Sequence, residues 1–516
     1  MIIKITMLIL FFVVMFIIGI IARSSTKNVD GFVLGGRKVG PWLSAFAYGT
    51  SYFSAVVFVG YAGQFGWKYG LSATWIGVGN AIIGSLLAWV FLGRRTRVMT
   101  HHLDAKTMPE FFGKRYESST LRLVASLIVF IFLIPYTASV YSGLSNLFGI
   151  AFNFDYRWCV IIMAALTAIY VILGGYMATA INDFIQGIIM LVGIVCIILP
   201  ILKGHGGFMT AISKLSEIPV DPKTTDSALL NMKGPFVSFF GPDPKNLLGV
   251  VILTSLGTLG LPQMVQKFYA IKSEKAVKTG TIISTLFAVV IACGSYFLGG
   301  FGRLFDSPAI YNAKGAVRFD TIVPTMLSSL PDFIVGIAVV LVLSASMSTL
   351  SALVLTSSST FTLDFLKPSV AKKMTEKTQL LIMRILIIFF IVLSVALALN
   401  PPTFIAQLMG ISWGALAGAF LAPFLYGLFW KKTSKASVWA SFIFGVGITV
   451  TNMFYPIFSS PINCGAAAMV GGLIIVPIVS LITPKLSKES QEKIFACYEE
   501  KVQVTKKTVL VEENGD

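Results

Sequence analysis

Residues 341–366 read LVLSASMSTLSALVLTSSSTFTLDFL. The run is long enough to cross a bilayer, which takes roughly 20 apolar residues, yet hydroxyls crowd one part of it. Ser344, Ser346, Ser348, Thr349 and Ser351 fall within about two helical turns. Hydrocarbon offers such groups no partner, so each must bond its own backbone, a neighbouring helix or a ligand. A dense patch at mid-membrane suggests a place where protein oxygens replace the water around a small cation. A plainer reading competes with it: Ser348 and Thr349 give their protons to carbonyls four residues back and serve packing alone.

The rest of the chain shares that solvent. Its 516 residues are 56% hydrophobic and 12% charged, the composition of an all-α polytopic membrane protein in a lipid bilayer. Thirteen windows are apolar enough to span: 2–22, 41–66, 72–93, 121–149, 158–177, 180–202, 246–268, 277–301, 332–365, 379–399, 403–430, 436–455 and 463–483. The apolar core of the first is too long for a cleaved leader, so it is read as a helix.

A formal net charge of +17 would suit nucleic acid, but its placement does not. Basic residues gather in alternate loops: Arg94, Arg95 and Arg97; Lys267, Lys272, Lys275 and Lys278; Lys367, Lys372 and Lys373. The short loops between them carry Lys68 or Arg157 alone, or no basic residue. The positive-inside rule then puts the N-terminus outside and the C-terminus in the cytoplasm, and a plasma-membrane location is expected. No nucleic-acid partner is expected. Five scattered cysteines and three histidines offer neither a disulfide framework nor a metal cluster. No nucleophile–base pair or phosphate loop is evident, so an enzyme is not expected.

Two spans are rich in helix breakers. Segment 41–66 opens Gly-Pro-Trp and carries Gly49, Gly60 and Gly63 around Thr50, Ser51 and Ser54. Segment 246–268 carries Gly249, Gly257 and Gly260 ahead of Pro262, which cannot donate to the helix before it. Five spans separate the two starts, and an odd number per unit means that a repeat would be inverted across the membrane. Interrupted helices at matching places in inverted halves point to a carrier's midplane site. Glycine for close helix packing is the competing reading.

Five stretches, in order along nearly the whole chain, resemble the sodium:solute symporter family: LGGRKVGPW (34–42), GGYMATAINDFIQ (174–186), GLPQMVQKFYAIKS (260–273), ASMSTLSAL (345–353) and LYGLFWKKTSKAS (425–437). The resemblance implies a leucine-transporter-like core of two inverted five-helix repeats. The division expected is an N-terminal extra helix and loop over 1–40, a first repeat over 41–202 and an extracellular loop over 203–245. A second repeat covers 246–430, two further helices 431–484 and a cytoplasmic tail 485–516.

The resemblance also implies a sodium site, with Na+ as the coupling ion. Its oxygens would come from the backbone of Thr50 and Phe53, the Ala345 carbonyl and the Ser348 and Thr349 hydroxyls. Oxygen ligands suit so hard a cation. Asp183 and Ser351 are candidates for a second cation, Asp183 because an intramembrane carboxylate is costly. A helix N-terminal Asp favoured by the macrodipole is the alternative for Asp183. Members that use a second sodium have serine where this chain has Ala352, so one ion per cycle is expected. Candidates for the solute cavity are Ser54, Val57, Tyr136, Thr137, Thr254, Thr258 and Gln407.

The reading is a sodium-coupled symporter, functional as a monomer, that imports a small organic solute by alternating access. An amino acid or small carboxylate such as proline or pantothenate fits. Sugar carriers of the family have glutamine where this chain has Val57, and proline carriers have an Asp where it has Tyr52 and aromatic residues near Thr254 and Thr258. A sugar or sialic acid carrier and a transporter-like membrane sensor are the alternatives; a channel would want a continuous polar pore.

Overall fold

The computed structural model describes residues 2–22, 28–152, 154–220 and 232–499. Among them there is no β-strand, only isolated bridges that pair Val39 with Ile271 and Tyr311 with Val317. Apolar runs form the helices, and small polar residues start many of them. Ser273, Ser434 and Ser460 each accept the N–H of the residue three positions on, at 3.2, 3.1 and 3.3 Å. These caps satisfy donors that lipid would leave orphaned.

Nine helices among the described residues are long and apolar enough to cross a membrane, or ten with the bent pair Pro244–Gly260 and Pro262–Tyr269. The expected count of thirteen is not reached on that test, for identifiable reasons. Pro41–Tyr52 stops short at a break, and Val56–His102 passes as one long helix. Ile2–Ile18 and Tyr156–Ile169 are shorter apolar helices.

Burial separates centre from rim. Within the spanning window, Ile405–Phe429 is 94% buried and Asp332–Ser369 83%, against 33% for Glu376–Leu399. The first two form the interior, and the third turns Leu381, Ile385 and Ile388 outward, as a lipid-facing helix should. Close approach of backbones holds the two halves together. A Cβ on Gly66 would lie 2.0 Å from the Gly299 carbonyl oxygen, so the helices Ala62–Tyr69 and Gly294–Gly300 touch where only glycine fits.

Both breaker-rich segments are interrupted. Pro41–Tyr52 ends at Phe53, whose backbone is extended (φ −105°, ψ 99°). The Ser54 hydroxyl then accepts the Val56 N–H at 3.2 Å and restarts the chain in wide, π-type turns over Val56–Tyr61. In the second segment Leu261 is extended (φ −82°, ψ 124°), Pro262 opens a new helix and the two parts differ by 43°. Proline costs little there, because its missing N–H would be an orphan anyway. At one end the two broken helices are joined: Val39 N–H donates to Ala270 O and Lys272 N–H to Val39 O, both at 3.1 Å. Arg97 bonds the Ile271 and Lys272 carbonyls at 2.8 and 2.9 Å over the same junction.

Candidate functional site

The helix Asp332–Thr360 lies against the first break and brings its hydroxyls there. Ser348 Oγ donates to Thr50 Oγ1 at 2.7 Å, and Thr50 Oγ1 donates to Phe46 O at 2.8 Å. Thr349 Oγ1 faces three carbonyls, Ala345 O at 3.1 Å, Ser51 O at 3.3 Å and Thr50 O at 3.4 Å. A hydroxyl carries one proton, so it satisfies one carbonyl at a time. Three carbonyls and three hydroxyls from two helices therefore converge with fewer protons than lone pairs, and no sulfur or formal charge is among them. That donor set fits a hard monovalent cation. Thr50, Ala345, Ser348 and Thr349 are buried at this junction, whereas Phe53 is buried at the break beside it and its carbonyl takes no part in these contacts, Ser51 O standing in the cluster instead. The Thr349 bond to the carbonyl four residues back is also present, so the packing reading describes part of the geometry but not the convergence.

Asp183 and Lys267 differ from their sequence placements. Asp183 is not at a helix start: it lies within Tyr156–Gly204, eight residues beyond the kink at Gly175 (φ 53°), and is completely buried. Lys267 is not in a basic loop: it belongs to the second half of the broken helix, Pro262–Tyr269, and its side chain is 4% exposed. The break bends that half inward and carries the lysine with it. Lys267 Nζ stands 3.6 Å from Asp183 Oδ2 and 5.2 Å from the centre of the Tyr176 ring. The Ser348 hydroxyl lies beside the same carboxylate. Ser351 Oγ donates to Ser348 O at 2.8 Å, on its own helix.

Beside the first break, Tyr52 stacks on Trp413 (6.3 Å, 29°) and Tyr136 meets Trp413 edge-on (5.8 Å, 78°). The Tyr136 hydroxyl neighbours the Ser54 and Trp413 side chains, and Gly257 packs under the Trp413 ring. Tyr52 donates to Thr254 O at 2.7 Å, which ties the first break to the second broken helix. Thr137, Thr254 and Thr258 spend their protons on backbone carbonyls. The Trp413 Nε1–H is buried and bonded to nothing among the described residues. Ser54, Val57, Tyr136, Thr137, Thr254 and Thr258 are all buried.

Gln407 is elsewhere. It sits in the first turn of Ile405–Phe429 and accepts the Thr403 hydroxyl at 2.6 Å. Thr403 lines a cavity of about 560 Å³ with Arg318, Asp320, Tyr156 and Asn146. Asp320 Oδ2 accepts the Ile405 N–H at 3.3 Å, and burial pushes the carboxyl up to about 6 against the pull of that bond and of Arg318.

Sequence reasoning missed Trp413, because an indole in an apolar span reads as packing. It also missed Asp364, which is buried and paired with Arg122 at 2.7 Å. The signal was there: Asp364 is a carboxylate in the same run as the hydroxyl patch.

Comparison with known proteins agrees with this architecture. The model of the sodium:solute symporter family matches residues 32–445. The osmoregulated proline transporter OpuE of Bacillus subtilis (strain 168) is 27% identical over 482 residues, covering 93% of this chain and 94% of that protein. A sodium/proline symporter of Staphylococcus aureus is 28% identical over 503 residues, with 94% and 92% covered. A solved structure of a sodium-coupled sialic acid symporter, substrate-bound and outward-open, superposes with a TM-score of 0.74 at 18% identity, covering 94% of this chain and 99% of the other. The fold is thus the leucine-transporter-like one, with two inverted five-helix repeats.

Proposed function

This chain belongs to the sodium:solute symporter family and couples solute import to sodium, and from that premise we propose that its solute is a small amino acid of the proline type, carried with one sodium ion per cycle. The observation that carries the substrate reading is the aromatic cluster beside the first break. Tyr52 and Tyr136 meet Trp413 there, and the threonine hydroxyls around it are already committed to carbonyls. A compact, largely apolar ring would gain from contact with such aromatic faces. A hexose or a sialic acid would leave many hydroxyls without partners, which is costly. A carboxylate can be met by N–H groups at the two restarted helices, as at other helix N-termini. The names of the two relatives, both proline transporters, support the same class.

In this reading Thr50, Phe53, Ala345, Ser348 and Thr349 hold the coupling ion. Binding there ties the first broken helix to Asp332–Thr360 and favours a substrate-ready state open to the outside. The positive-inside rule assigns the basic ends to the cytoplasm. The Val39–Ala270–Lys272 junction then closes the inner face, and release of solute requires it to part. A division into repeats over 41–202 and 246–430, a cell-membrane location and a monomeric working unit complete the proposal.

The energetics suffice. One charge moving inward gains about 2.3 kcal/mol per 100 mV, and a tenfold sodium gradient adds about 1.4 kcal/mol. The sum supports accumulation of a neutral solute by roughly several hundredfold. The test is uptake of labelled proline into proteoliposomes under an inward sodium gradient, competed with other amino acids, pantothenate, glucose and sialic acid. Proline and its close analogues should compete best. Competition by a sugar or sialic acid, with none by proline, would overturn the substrate reading.

A further inference from the structure

We propose that the Lys267 ammonium is a tethered cation held at Asp183, where it takes the place of a second free ion and so fixes the sodium count of this chain at one. The inference rests on the sodium-coupled reading above and concerns the ion number alone.

Three observations carry it. The pair is inside the protein, with side-chain exposures of 4% for Lys267 and 0% for Asp183. Its two members come from different halves: Asp183 from the helix beyond the Gly175 kink, Lys267 from the segment that restarts after Leu261. The pair also adjoins the oxygen cluster, since Ser348, which bonds Thr50, lies beside the Asp183 carboxylate. A buried carboxylate so placed demands a positive charge, and the chain supplies one from its own side chains.

The contact is electrostatic. At 3.6 Å it exceeds the ~2.8 Å typical of a charge-assisted hydrogen bond. The Tyr176 ring at 5.2 Å steadies the ammonium from another side. The lysine can therefore leave when the broken helix moves, yet it returns to the same carboxylate, because its stem anchors it. A free sodium ion would be carried through; a tethered ammonium is not. With Lys267 shortened to a neutral side chain, the carboxylate should recruit a sodium ion from solution.

The experiment counts ions in two ways, on wild type, Lys267→Gln, Lys267→Arg and the double variant Asp183→Asn/Lys267→Gln. The first is the null point of transport in proteoliposomes at zero membrane potential. A tenfold solute gradient should be balanced by an opposing sodium gradient of about tenfold for one ion and about threefold for two. The second is radioactive sodium bound per purified chain, which needs no transport. Wild type, Lys267→Arg and the double variant should bind one ion, and Lys267→Gln two, with its null point moved to about threefold. One sodium or none bound by Lys267→Gln, or a null point still at tenfold, overturns the proposal. Wild type with no sodium bound would instead remove the sodium-coupled reading beneath it.

Discussion

A single hydroxyl decides little in water and much in a dry protein interior. Ser348 and Thr349 lie where Thr50, Ser51 and Ala345 turn oxygens toward them. Losing one such oxygen costs roughly 1.5 kcal/mol, or about tenfold in affinity. Ser348→Ala and Thr349→Ala should each raise the sodium concentration for half-maximal uptake about tenfold, while Ser346→Ala, which bonds only Val342 O, should leave it unchanged. Asp320 gives a second residue-scale expectation. Its carboxyl is raised by burial to about 6, so the folded protein holds a proton that the unfolded chain has lost. Stability from this group is greatest below the unfolded value near 4 and falls as pH rises to about 6. In thermal melts in detergent, Asp320→Asn should flatten that decline between pH 4 and 6; an unchanged slope would show that the group does not titrate there. Composition and register led to the hydroxyl pair. They could not lead to the Asp183–Lys267 contact, because only the bend at Leu261 takes Lys267 away from the basic loop that holds Lys272.

At the scale of helices, glycine marks both where they break and where they touch, and the structure separates these uses. Gly66 packs against Gly299 with no room for a methyl group, so Gly66→Ala should destabilise by about 1–3 kcal/mol. A methyl group on Gly447, in Lys435–Phe454, would meet nothing within 4 Å, and Gly447→Ala should be neutral or stabilise by up to about 1 kcal/mol. Melting temperatures of the two variants, measured side by side, check the pair; equal shifts would contradict the packing assigned to Gly66. The broken helices themselves were legible from glycine, proline and hydroxyl placement, as at Pro262 and Ser54. The number of crossings was less so, since length and apolarity miss a helix cut short at Phe53 and merge those on either side of Gly70.

For the whole molecule, the Tyr52–Thr254 bond ties the first interruption to the second broken helix, and the hydroxyl-rich helix closes on that same interruption. The aromatic cluster and the oxygen cluster are therefore neighbours along the chain through Tyr52, Phe53 and Ser54. In the proposed reading solute and ion share the same moving parts, as a coupled carrier requires. The family was legible from five motifs in order; the aromatic cluster was not, because Trp413 lies far along the chain from Tyr52 and Tyr136 and meets them only in the fold. The most direct test of the central claim is solute uptake into proteoliposomes of the purified chain, with external sodium replaced by choline at constant membrane potential. Uptake should fall to the level of protein-free vesicles and recover on return of sodium; uptake that proceeds equally well in choline would contradict the account.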